Sequence, residues 1–297
     1  MFAAFGRSWR LLKTTWNVLR QDKELTTFPV LASILTILIS IVFFLLALAL
    51  GIRVPGMDGR GRGGDFNLLG LVALFFYYLV ISMVVNYMAA ALTAAVLIRI
   101  RGGDPTVQDG FKAANSRLGK LFIWSLITAT VGMVLQMVRN QARKSDNIAM
   151  AIIASLLASL AEFAWEVASF LTIPIIVDED KQPLEALKGS VAYLKKTWGE
   201  QIIGGAGLSL ALGLISFGIA LLGLLIGGLF GAMGFNLGVV AAIVVVVIAI
   251  AVVSVIGGTL GGVFRALVYQ YAKTGTIPTM DGVESALISG AFKPKGI

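Results

Sequence analysis

From Phe28 to Gly51 the sequence carries no charged side chain, and this feature most limits what the chain can fold into. A helix rises about 1.5 Å per residue, so roughly 20 apolar residues match the ~30 Å hydrocarbon core of a bilayer. Inside that core every backbone polar group needs a partner within the protein, which leaves helices or closed barrels. Long apolar stretches recur at Phe66 to Ile98, Leu118 to Val138, Ile148 to Val177, Gln201 to Phe230 and Leu237 to Tyr271. Each exceeds strand length, so the pattern predicts an all-α polytopic bundle of six transmembrane helices. No soluble domain is visible outside them, so residues 1–297 read as one membrane domain. Charged residues make up 13% of the chain, against about 25% in a soluble domain.

The connecting segments have their own periodicity. Phe2, Phe5, Trp9, Leu12, Trp16 and Leu19 follow helical spacing, with Arg7, Arg10, Lys13 and Arg20 on other faces. Such a helix lies in the membrane interface, and it is too long and charged for a cleavable signal. Val107, Phe111, Ala114, Leu118 and Leu121 repeat the pattern, as do Leu184, Leu187, Val191, Leu194 and Trp198. Each amphipathic helix precedes a two-span hairpin, which predicts three repeats over residues 1–101, 102–179 and 180–275. A short amphipathic tail, 276–297, follows. Ser8, Leu12, Lys13, Thr15 and Trp16 align without gaps on Ser190, Leu194, Lys195, Thr197 and Trp198. Trp9, Trp16 and Trp198 are expected to anchor at headgroup level.

Lysine and arginine set the orientation. Of the 24, only Arg53, Arg60, Arg62, Arg139, Arg143 and Lys144 fall on the side opposite the N-terminus. The positive-inside rule then places both termini in the cytoplasm. The net charge of +8 reads as topology plus attraction to anionic headgroups on the cytoplasmic side, and no nucleic acid is expected. Without cysteine or histidine, thiolate and imidazole chemistry and the zinc and haem sites built on them are excluded. No cofactor and no metal is expected. Gly59 to Gly64 fits G-x-G-x-x-G in letters, yet it neither follows a strand nor opens a helix, so nucleotide binding gets no weight.

The sharpest chemical signal is in span four. Glu162 and Glu166 lie four residues apart inside an apolar stretch, on one helix face. An ionised carboxylate at the bilayer centre costs at least about 2.5–3.5 kcal/mol, so the pair needs a cation, protonation or water. Ser155, Ser159 and Ser169 continue the stripe at spacings of 4, 3, 4 and 3. Span two presents Ser82, Asn86 and Thr93, and span three presents Ser125, Thr128, Gly132 and Gln136. Converging stripes would make a polar interior for an ion or small solute, with Glu162 and Glu166 as its site and Ser82, Asn86, Thr93, Thr128, Gln136, Ser155, Ser159 and Ser169 lining it. The bland alternative is interhelical hydrogen bonding or contact with another subunit. Transport or permeation is therefore the first function class and a membrane scaffold or accessory subunit the second. An enzyme is a distant third, because no nucleophile or metal set accompanies the acids. The bilayer itself is the expected partner, with a homo-oligomer or a membrane partner complex open. Gly223, Gly227 and Gly231, with Gly257, Gly258, Gly261 and Gly262, are small-residue steps that let helices approach closely.

Trp9 and Trp16 before Phe28-Pro29, the run Gly102-Gly103-Asp104-Pro105, Ile173 to Glu179, and Lys195 to Glu200 together resemble a known group. The chain is similar to an uncharacterised family of prokaryotic six-span integral membrane proteins, a domain of unknown function. The resemblance implies a prokaryotic cytoplasmic (inner) membrane and the same fold, and it supplies no substrate or catalytic residue.

Overall fold

A computed structural model describes residues 23–52, 68–143, 148–198 and 203–275. The first interfacial helix with Trp9 and Trp16, the Gly-rich loop after span one and the tail all lie outside the described residues. Among those described, all regular structure is helical. A 3-10 turn, Lys23–Thr26, enters α1 (Thr27–Ala49), and α2 is Leu68–Ile100. The short α3 (Val107–Asn115) leads to α4 (Leu118–Arg143) and α5 (Ile148–Ser169). A second short helix, α6 (Thr172–Glu179), precedes α7 (Pro183–Trp198), α8 (Ile203–Ala232) and α9 (Asn236–Thr274).

Six segments are long and apolar enough to cross a membrane: 24–49, 68–100, 118–139, 152–179, 212–232 and 236–274. Their surfaces fit that medium. Leu38, Val42 and Leu45 on α1 and Leu222, Leu225 and Leu229 on α8 are exposed, and no residue in the apolar window of α8 is buried. In water such surface would drive aggregation; against lipid tails it costs nothing. The chain is an all-α membrane protein with six candidate spans.

The chain forms two compact units whose boundaries fall inside α1, α2, α3 and α7. Among the described residues, one comprises 23–33, 95–107, 194–198 and 203–275, the other 34–52, 68–94, 108–143 and 148–193. In the first, Leu25, Phe28, Val96, Ile100 and the Leu260–Ala272 stretch of α9 hold the buried side chains. Arg101 donates to the Gln270 side-chain oxygen at 3.3 Å, and the Val107 N–H donates to Glu24 Oε2 at 3.3 Å. The α8–α9 hairpin turns through Gly234, whose φ of +70° suits a residue without a Cβ. The glycine steps of α8 face α9. A Cβ on Gly223 would overlap Val246, and on Gly227 and Gly231 it would touch Ala242 at 3.9 Å and Val239 at 3.8 Å. Gly257 backs onto Leu212 and Gly258 onto Pro29, whereas a Cβ on Gly261 would meet open space and Gly262 is half-buried.

In the second unit α3 lies on α2. Phe111 stacks on Tyr87 with centroids 6.0 Å apart, the Tyr87 hydroxyl donates to Asn115 at 2.8 Å, and Gly110 and Ala114 are buried. Span four is not continuous. Pro174 has no N–H, and its ring crowds the carbonyl of Phe170, so the helix stops at Ser169 and restarts at Thr172. α7 docks through small residues. Ala186 and Ser190 are fully buried and Gly189 approaches Ile175, while Leu184, expected on the apolar face, is 60% exposed.

Candidate functional site

The polar stripes of spans two and three meet at Asn86. Its side-chain NH2 donates to Ser125 Oγ at 3.0 Å and to Thr128 Oγ1 at 3.2 Å, joining α2 to α4. Both hydroxyls spend their own protons locally, Ser125 on the Leu121 carbonyl at 2.7 Å and Thr128 on the Ser125 carbonyl at 3.1 Å. Their lone pairs remain to accept from Asn86, so this is a mutually satisfied knot. Asn86 is 7% exposed and Ser125 fully buried, with Thr128 half-buried beside them. Ser82 and Gln136 are half-buried and Thr93 is buried. None of the three hydrogen-bonds to the knot.

Span four turns its stripe elsewhere. Ala158 is the buried edge of α5, and Trp165 stacks on Trp124 of α4 with centroids 5.8 Å apart. Positions 155, 159 and 166 lie to one side of that contact, and all three side chains are exposed. Glu162, between these faces, forms an ion pair with Arg139 of α4. The Glu166 carboxyl has no partner among the described residues. Ser155 bonds only to the Ile152 carbonyl, at 3.0 Å, and Ser169, half-buried, bonds to its own helix at the Trp165 carbonyl, at 2.7 Å. The structure thus brings Asn86, Ser125 and Thr128 together, and it does not bring Ser155, Ser159 or Glu166 to them.

Arg139 escaped the sequence reading as a partner for Glu162, although a signal existed. It is the cation that closes the apolar window of span three, and a short turn makes spans three and four antiparallel neighbours.

A second polar cluster closes the break in span four. The Leu171 N–H, deprived of a normal helical acceptor, donates to Ser190 Oγ of α7 at 3.0 Å. At the far end of α6, Asp180 adopts a left-handed conformation with φ 53°. Its carboxylate meets Lys120 Nζ at 2.9 Å and Arg117 Nε at 3.5 Å, and Arg117 also donates to the Ile176 carbonyl at 3.2 Å. The Lys120 hydrogen bond holds the Asp180 carboxyl below the ordinary aspartate range. Nearby, Tyr193 donates to Glu179 at 2.8 Å, and Lys181 pairs with Glu179 at 2.6 Å. Burial, and then Glu179, push the Tyr193 hydroxyl up to about 12. Trp198 is the last residue of α7.

These elements lie inside a recognised pattern. Residues 68–279 match the model of a family of unknown function, DUF6159. The chain belongs to that family. The match begins at the first residue of α2 and takes in the Asn86 knot, the span-four stripe and the Ser190 cap, while α1 precedes it. A comparison with curated proteins finds no match.

Proposed function

We propose that the protein is a non-enzymatic assembly subunit of a prokaryotic cytoplasmic membrane, and that span four is the surface it offers to another membrane-embedded chain. The carrying observation is the outward direction of the Ser155, Ser159 and Glu166 edge. Exposed hydroxyls and a carboxylate in a hydrocarbon medium are costly unless another polypeptide covers them. The inward polar groups support the same reading, because Asn86, Ser125 and Thr128 satisfy one another and act as interhelical glue. In this reading three repeats of interfacial helix plus hairpin present their cations, with both termini, to the cytoplasmic leaflet. The exposed side of α3, with Lys112, then faces anionic headgroups.

Transport remains the second reading, supported by the ion pair of Glu162 and Arg139 at the membrane-facing edge of α4 and α5. Two experiments separate them. A photoreactive residue at position 159 in native membranes should trap polypeptide, whereas one at Leu160 should trap lipid; lipid alone at both sites would defeat the assembly reading. Ion flux in proteoliposomes that disappears in a Glu162→Gln/Glu166→Gln variant would establish permeation instead.

A further inference from the structure

We infer that α7 sits edge-on in the anionic cytoplasmic leaflet, through an apolar strip of Leu184, Leu187 and Val191 bordered by Lys188 and Lys195. The inference rests on the leaflet contact of the proposed function and is independent of what covers span four.

The strip follows from how α7 docks. Pro183, Ala186, Ser190 and Leu194 are buried, and a Cβ on Gly189 would stand 3.3 Å from the Ile175 side chain of α6. This face of mostly small residues leaves larger ones at its edge. Leu184 is 60% exposed, and Leu187 and Val191, three and seven positions on, are half-buried. Those spacings set the three along one line of the helix. Lys188 and Lys195 follow Leu184 and Val191 by one turn and are exposed, so cations border the strip on its free side. Glu185, the one acid of α7, lies beyond them.

Position, charge and area name the occupant. The docking partner α6 closes span four, so α7 lies at the edge of the hydrocarbon. There a strip bordered by lysines puts its leucines among acyl chains, while the lysine stems reach back to the phosphates. The positive border selects anionic lipid, because each lysine near the surface adds attraction to negative headgroups. A protein partner needs roughly 800 Å² on each side, far more than one exposed leucine with two half-buried neighbours can offer.

The other interfacial helix shows the contrast. Phe111 of α3 is stacked on Tyr87, and the exposed positions of α3 are Gln108, Lys112 and Asn115. α3 therefore meets headgroups through charge alone, and α7 enters the chains.

The chain contains no cysteine, so one introduced residue carries one label. Leu184→Cys and, as a second reporter, Val191→Cys are labelled with a small fluorophore in the full chain. Each is reconstituted in vesicles of equal phosphatidylglycerol and phosphatidylcholine, with bromine on the acyl chains of one lipid or the other. Iodide on both sides of the vesicle is the aqueous quencher. Ala192→Cys, on the exposed side of α7, and Gln108→Cys, on α3, are the controls. Brominated chains should quench positions 184 and 191, which iodide should not reach, and the controls should behave in the opposite way. Brominated phosphatidylglycerol should quench position 184 at least about twofold more than brominated phosphatidylcholine, and Lys188→Ala/Lys195→Ala should level the two. Iodide quenching at 184 and 191 equal to that at 192 puts the strip in water and overturns the inference. Equal quenching by the two lipids while both lysines are present overturns the anionic partner. Shielding from both quenchers means that polypeptide covers the strip, which overturns the inference as well. Each of these outcomes leaves the span-four surface to be decided by the crosslinks from position 159.

Discussion

The Leu171 N–H donates to the Ser190 hydroxyl at 3.0 Å, so α7 supplies the acceptor that the Pro174 interruption takes from span four. An unmade hydrogen bond on a buried N–H costs about 1–3 kcal/mol. Ser190 is fully buried, so water cannot step in, and Ser190→Ala should lower the thermal midpoint of the purified protein accordingly. The cap matters only because the proline broke the helix. In a Pro174→Ala background Leu171 can bond to Val167, and removing Ser190 should then cost markedly less. Equal losses in both backgrounds would refute the coupling.

The Asn86 knot predicts a smaller effect. Interhelical hydrogen bonds in membranes average about 0.6 kcal/mol and reach about 1.7 kcal/mol. Asn86→Ala removes two of them but strands no hydroxyl, because Ser125 and Thr128 keep their bonds to their own helix. A loss near 1 kcal/mol is expected, measured by reversible unfolding in mixed micelles. Several kcal/mol would mean that Asn86 holds more than these two hydroxyls.

How far this site was legible in the sequence depends on what periodicity can carry. The limits of the first four spans were readable because charge ends an apolar run, whereas no charge lies between Gln201 and Phe264 and the last two were separated only where the apolar run itself pauses. Asn86 was readable as one member of a stripe. The direction of the span-four stripe was not. Spacing shows that Ser155, Ser159 and Glu166 share a face, but in a bilayer that face can turn inward or toward another chain, and only the Trp124–Trp165 stack and buried Ala158 decide it. The face by which α7 docks is not the one a hydrophobic pattern brings out, although Leu194 is buried as well. Large residues such as Leu184 dominate a hydrophobic pattern, whereas close contact here uses Ala186, Gly189 and Ser190, which score as nothing in particular.

Arg139 and Glu162 should behave as a unit. Removing the guanidinium leaves a carboxylate without its cation in an apolar setting, a cost that reaches about 2.5–3.5 kcal/mol at the bilayer centre and is smaller toward the span end that Arg139 closes. Arg139→Leu should therefore destabilise strongly, and Arg139→Leu/Glu162→Leu should recover most of the loss, as replaced ion pairs do when the partners leave together. Additive losses in a double-mutant cycle would show that the pair is not energetically coupled.

Stability should fall at both ends of the pH scale, through different residues. Asp180 has its folded pKa lowered, so its contribution is present above the ordinary aspartate value of about 3.9 and is lost as pH falls through the lowered one. The side chain is 63% exposed, so this acid limb should be shallow and should fade in high salt. Asp180→Asn should flatten it while keeping the left-handed turn, which asparagine tolerates. Tyr193 is the opposite case. Its folded pKa is raised to about 12, so its contribution is intact below the ordinary value of about 10 and is lost as pH rises through 12. Tyr193→Phe should flatten the alkaline limb, which is read from unfolding midpoints across the range.

The final hairpin offers a test of packing with its own control. Gly223 and Gly228 both lie in α8, where glycine is intrinsically worse than alanine by up to about 1 kcal/mol. Propensity alone therefore predicts that Gly→Ala stabilises at either position. Their surroundings differ. A Cβ on Gly228 meets open space, whereas one on Gly223 would overlap Val246 of α9. Gly228→Ala should accordingly be neutral or stabilising, and Gly223→Ala should destabilise by about 1–3 kcal/mol, the range for overpacking a well-filled contact. Val246→Ala should restore the Gly223→Ala variant, because it removes the methyl groups that the new Cβ would strike. If both alanine variants gain stability alike, the close approach of α8 and α9 at this level is wrong.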